Sequence, residues 1–263
     1  MKLFGNRGRR SGGADQTPVE ISEKHGVRFL HLGGPAVQSA MRIRDPWELE
    51  LEYTRAMMAF LLFQSAPKNM ALIGLGGGSL AKFIHKNLPE THLTALEINA
   101  EVVQAARAYF SLPPDDERLD VQTGDGAAFV YANPGSQDVL LVDGYDAKRI
   151  VEALASPDFY RACLAMLRPG GVAVFNLWGS DTSFPVYFER LSAVFGQRLL
   201  RLPSERKGNI IVFAFNSPIP EMGFSVLSRQ AKQWSAAVGL EFEDFLFRLR
   251  NWNTTSQDRF LLK

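Results

Sequence analysis

From Met70 onward, short apolar runs alternate with helix-patterned segments, and this alternation narrows the choice of fold more than any other feature of the chain. MALIGL, HLTALE, LDVQT, DVLLVD and GVAVFNLW read as strands, while segments near 79–87, 100–110, 126–132, 157–167 and 184–195 read as helices. Parallel strands need long crossovers, and helices supply them, so the pattern predicts an open, mostly parallel sheet covered on both faces. RLLRL and NIIVFAF add two strands, giving an α/β sheet of about seven. Ser225 to Arg250 reads as one or two helices packed on an edge.

Upstream, VRFLHL (27–32) and AVQSAMRI (36–43) flank Gly33-Gly34-Pro35, so a small β-hairpin module is expected over 19–45, ahead of a main unit over 46–263. Asp45-Pro46 supplies an N-cap and a first helical residue, so a helix is expected to start there. Residues 1–18 carry Lys2, Arg7, Arg9 and Arg10 without a continuous apolar core and read as a disordered basic tail, not a secretory signal. A chain of 263 residues, 46% hydrophobic, can bury a substantial core. Lys+Arg of 29 against Asp+Glu of 28 gives no general reason to expect nucleic acid or an anionic membrane as partner. No apolar run approaches the roughly 20 residues of a membrane span. The single cysteine, Cys163, cannot form an intramolecular disulfide and reads as a buried thiol compatible with the cytoplasm. His25, His31, His85 and His92 are too scattered for a metal site, and none is expected.

Ligands of open α/β sheets bind at the carboxyl ends of the strands, so those ends carry the functional reading. The first ends in Gly74-Leu75-Gly76-Gly77-Gly78-Ser79, where Gly74, Gly76 and Gly78 permit a tight turn and close approach of a ligand. Ser79 breaks the dinucleotide pattern G-x-G-x-x-G, and no phosphate-cradling G-x-x-x-x-G-K-[ST] loop is present. Glu97 ends the second strand, where an acid accepts from ribose hydroxyls or caps the next helix. Asp125, with Gly126 after it, accepts from an adenine amine or forms an Asx-turn. Asp143 and Asp146 follow the fourth strand. Together these describe an acidic pocket for a neutral or cationic adenosine derivative such as a sulfonium. Tyr53, Tyr145 and Trp178 are candidates for an aromatic wall facing that cation, or are packing residues. Asn176 either faces an acceptor or is a polar strand terminus.

These residues resemble the polyamine aminopropyltransferases, the family of spermidine synthase. The resemblance runs from about Gly26 to Phe215. It includes the hairpin with Gln38, Glu52-Tyr53, the glycine loop, LEIN, GDGAAFV, VLLVDGYDA and SPDFYRACLAMLRPGGV. It implies a Rossmann-like sheet of the S-adenosylmethionine-methyltransferase type behind a small β domain. It also implies transfer of an aminopropyl group from decarboxylated S-adenosylmethionine to a small amine, in polyamine biosynthesis. On that resemblance Glu97 holds the ribose, Asp125 the adenine, and Asp143 is the general base. Asp146 helps bind the amine, with Gln38 and Tyr53 as further substrate contacts. Two departures stand out. Gly77 falls where the family's G-G-G-D-G-G loop places an acid against the donor's ammonium. The family's D-S-S/T-D-P has become Asp143-Gly144-Tyr145-Asp146-Ala147.

The expected partners are therefore a small amine and a sulfonium nucleoside, in a cytoplasmic homodimer with no metal. An S-adenosylmethionine-dependent methyltransferase and a non-catalytic nucleoside-binding relative are the alternatives.

Overall fold

The structure, a computed structural model, describes residues 17–144, 152–204, 208–217 and 223–262. The amino-terminal hairpin carries one strand more than the pattern predicts. β1 (Val19–Lys24), β2 (Val27–Leu32) and β3 (Val37–Arg42) form an antiparallel sheet. In β1 only Ile21 is buried, so VEISEK carries little apolar signal. His25 and Gly26, both at positive φ, close its turn to β2 in the manner of a two-residue hairpin loop. Of the expected tail, residues 1–16 lie outside the described residues. Thr17 O accepts from Asn99 Nδ2 at 2.8 Å, and Pro18 O accepts from Gly33 N at 3.2 Å.

No helix begins at Asp45-Pro46. Asp45 Oδ1 accepts from Trp47 N and its carbonyl from Glu48 N, which makes a turn. Arg55 Nη1 takes the carbonyls of Leu49 and Glu50, so these do not enter a helical ladder. Helix α1 (Glu52–Met57) starts only afterwards and continues as a 3-10 turn over Met58–Leu62.

The main sheet has seven strands: β4 (Asn69–Ile73), β5 (His92–Glu97), β6 (Leu119–Thr123), β7 (Gln137–Val142), β8 (Leu167–Trp178), β9 (Leu199–Pro203) and β10 (Asn209–Phe215). Their order is β6-β5-β4-β7-β8-β10-β9, parallel up to β8, with β10 antiparallel to both of its neighbours. The helices are α2 (Ser79–Asn87), α3 (Ala100–Tyr109), α4 (Gly126–Ala132), α5 (Pro157–Met166), α6 (Phe184–Phe195), α7 (Phe224–Val238) and α8 (Phe242–Trp252). One face packs on α1, α2, α7 and α8 and the other on α4, α5 and α6. That double coverage is why the central strands are apolar without alternation. Cys163 is fully buried on α5, as a small thiol in an apolar helix should be. Ile21, Leu30 and Met41 seat the small sheet on Val102, Ala105 and Phe110. Among the described residues no helix is long and apolar enough to cross a membrane.

The period-2 rule then positions the chemistry. Leu141 on β7, Val174 on β8 and Ile211 on β10 all face the α1 side of the sheet. Two residues further toward the same edge, those rows end in Asp143, Asn176 and Asn209.

Candidate active site

A cavity of about 550 Å³ opens between β3 of the small sheet and the carboxyl ends of β4, β5, β7 and β8. Gln38, Tyr53, Glu97, Asp125 and Asp143 all line it, as do Gly74, Gly76 and Gly126. Gly78 is not part of the lining; it caps α2 and turns toward Leu112. Tyr145 and Asp146 lie outside the described residues, while Trp178 reaches the wall.

The two carboxylates at the β5 and β6 ends are tied to backbone amides. Glu97 accepts from Leu75 N through Oε2 and from Asn99 N through Oε1, both at 3.0 Å. It therefore clamps the glycine loop to the start of α3 and still faces the cavity with its remaining lone pairs. Asp125 Oδ1 accepts from Ala127 N at 2.8 Å and from Ala128 N at 3.4 Å, which makes it the N-cap of α4. For both acids the local structural role and a ligand-facing position coexist.

Asp143 is held differently. Tyr53 OH donates to Oδ2 at 3.0 Å, and Asn176 Nδ2 donates to Oδ1 at 2.7 Å. Burial pushes this carboxyl up to about 6; the hydrogen bonds from Asn176 and Tyr53 oppose the rise, and the Glu97 charge adds to it. Gly74 brings the loop this close. With φ of +93°, it passes so near the strand end that a Cβ there would lie 2.3 Å from Asp143 O.

Gly77 has a steric partner. A Cβ at this position would meet Phe110 Cδ1 and Ser39 Oγ, each at 2.8 Å. Phe110 is fully buried, and its carbonyl accepts from Lys82 Nζ at 2.6 Å. Lys82 Nζ also donates to Pro46 O at 2.7 Å, and burial lowers its ammonium to about 8. A side chain at this point of the loop would therefore have to displace Ser39 Oγ or the buried Phe110 ring, and the cavity wall beside it carries Gln38 and Ser39.

Asn209 and Ser39 are the site residues that motif reading passes over. Asn209 Nδ2 donates to Asn176 Oδ1 at 2.8 Å. Its signal was a polar residue opening the apolar row NIIVFAF at the functional edge of the sheet. No cluster of metal-ligating side chains occurs among the described residues.

A seven-stranded α/β sheet with acids meeting over a glycine loop defines a nucleoside-binding group-transfer fold. The spermine/spermidine synthase domain matches residues 50–177. Over 244 residues, 93% of this chain and 94% of the relative, the sequence is 41% identical to the polyamine aminopropyltransferase of Chromobacterium violaceum. A spermidine synthase solved with the transition-state analogue AdoDATO superposes with a TM-score of 0.72 at 20% identity, covering 95% of this chain and 85% of that one. Human methyltransferase-like protein 13, solved in complex with SAH, gives a TM-score of 0.62 at 26% identity, covering 79% and 97%. The chain belongs to the spermine/spermidine synthase family.

Proposed function

We propose that the protein transfers an aminopropyl group from decarboxylated S-adenosylmethionine to a small amine, with Asp143 as general base. The observation that carries this reading is the setting of Asp143: a desolvated carboxyl at a strand end, opening into the cavity that Glu97 and Asp125 also line.

The acceptor enters as an ammonium ion, which the acidic cavity attracts. Its nitrogen has no lone pair until a proton leaves, and Asp143 takes that proton. The freed amine attacks the carbon beside the sulfonium. The C–N bond forms as the C–S bond breaks, and the bonding pair returns to sulfur as the neutral thioether methylthioadenosine. A carboxyl with pKa near 6 is ionised at neutral pH, yet basic enough for the transfer, an arrangement worth on the order of 10²–10⁴-fold. In this reading Glu97 accepts from the ribose hydroxyls and Asp125 from the adenine amine, while Gln38 and Tyr53 border the acceptor, with Tyr145 and Asp146 assigned to it as well. Residues 19–45 act as a module over the nucleoside unit of residues 46–263, and the working form is a cytoplasmic homodimer.

Gly77 favours keeping methyl transfer from S-adenosylmethionine as a second reading, since this chain lacks the acid that would mark the decarboxylated donor. Mass spectrometry separates the two. Incubation with each sulfonium donor and a panel of diamines should yield methylthioadenosine from the decarboxylated donor alone. S-adenosylhomocysteine as the product would replace the first reading with the second, and the absence of any thioether product would leave a binding protein.

A further inference from the structure

An asparagine amide is two-ended: one side donates and the other accepts. Facing a carboxylate, Asn176 must present nitrogen, because its oxygen would set two acceptors against each other. Asn176 is 2% exposed, so the choice of end is made by protein groups rather than bulk water. A second contact that favours the same orientation lies on the far side of the amide. Asn209 Nδ2 donates to Asn176 Oδ1 at 2.8 Å, and Asn176 Nδ2 then donates to Asp143 Oδ1 at 2.7 Å. If Asn176 alone flipped, its nitrogen would meet that of Asn209 and its oxygen would meet Asp143, so both contacts would be lost unless Asn209 turned with it.

The sheet makes this relay reachable. Ile211 of β10 is the register partner of Asn176 and Asn209 that of Trp178, so Asn209 stands diagonally across from Asn176 on the same face. The start of β10 is itself pinned: Ser204 N donates to Asn209 O at 2.9 Å, and Asn209 N donates to Ser204 Oγ at 3.3 Å. Tyr53 from α1 supplies the second donor to Asp143, so each carboxylate oxygen receives one side-chain donor.

We propose that Asn209 is a positioning residue for the general base: it fixes the amide of Asn176 so that its nitrogen faces Asp143 and holds that carboxylate toward the cavity. This rests on the reading of Asp143 as base. Among the described residues, the titratable groups whose charge or hydrogen bond bears on Asp143 are Tyr53 from α1 and Glu97 from β5. Neither is altered by substitution at Asn209.

The test is the pH profile of kcat/KM for methylthioadenosine release, with decarboxylated S-adenosylmethionine and 1,4-diaminobutane as probes. Asn209→Leu keeps the side-chain shape without the donor. The acid limb should move to higher pH by about half a unit to one unit, read as roughly a two- to fivefold loss near pH 6 and less than twofold near pH 8.5. Asn209→Gln, which restores an amide, should recover part of the shift. On an Asn176→Leu background, Asn209→Leu should add no further shift, because it acts through the amide already removed. If Asn209→Leu does not fold, Asn209→Ser, too short to reach Asn176, gives the same reading. An acid limb that stays in place while activity drops equally at every pH would overturn the proposal. Asp143→Asn is the control that separates the two claims. If it stays active, the base assignment fails; if it is inactive and Asn209→Leu leaves the limb unmoved, only the positioning role fails.

Discussion

The cavity has two ends, and their carboxylates are held by different means. At the end proposed for the nucleoside, Glu97 and Asp125 accept from backbone N–H groups of neighbouring turns and are fixed by local geometry. At the end proposed for the transfer, Asp143 receives two side-chain donors from remote elements, and burial pushes its carboxyl up to about 6. The contrast matches the work assigned to each. A carboxylate that only accepts hydrogen bonds from a bound nucleoside gains from amides that fix its orientation. A carboxylate that must take up and release a proton needs its two states closer in free energy, and burial against two side-chain donors produces that balance.

Substitutions at the two ends should therefore fail in different ways. The largest effect is expected at Gly74, where a side chain would strike Asp143 O and adopt φ of +93°. Gly74→Ala should destabilise the fold by at least about 2 kcal/mol and misplace the base; denaturant unfolding would show it, and an unchanged midpoint would disprove the close approach. Glu97→Ala should weaken methylthioadenosine binding by roughly 1.5–3 kcal/mol, on the order of ten- to a hundredfold by calorimetry, with the acid limb of the rate profile little changed. Unaltered affinity would remove Glu97 from the nucleoside end. Tyr53→Phe should do the reverse: near-parental nucleoside affinity, with the acid limb raised by about half a unit to one unit through loss of one donor to the carboxylate.

The last prediction concerns stability. The folded-state pKa of Asp143 is raised from 3.8 to about 6, so its ionisation costs stability as pH climbs through that window, and the penalty is complete above it. Asp143→Asn should accordingly be more stable than the parent by about 1–3 kcal/mol at pH 8, a few degrees in Tm, with the difference vanishing near pH 3.5. Equal stability at both pH values would show that the carboxyl is not desolvated.

The same contrast explains what the sequence made legible. Glu97 and Asp125 interact with residues two or three positions along the chain, or with the adjacent glycine loop, so ALEIN and GDGAA carry their own turn chemistry. The seven strands were equally readable, because double coverage leaves apolar runs such as VLLV and VAVF at the centre of the sheet. Asn209 offered only a polar residue at the head of NIIVFAF: its partner Asn176 is 33 residues away, and the strand register is what brings the two together. The start of α1 was misread for a related reason. Asp45-Pro46 has the local form of a helix start, but Arg55 claims the carbonyls that a helix would have needed. β1 was missed because one buried residue does not make a pattern.

The most direct test of the central claim is the pH dependence of kcat/KM between pH 5 and 9 for the parent and Asp143→Asn, measured alongside methylthioadenosine affinity. The account predicts an acid limb near pH 6 in the parent, with activity at least about 100-fold lower in the variant at every pH while the nucleoside still binds. A parent profile without that limb, together with a variant as active as the parent, would contradict it.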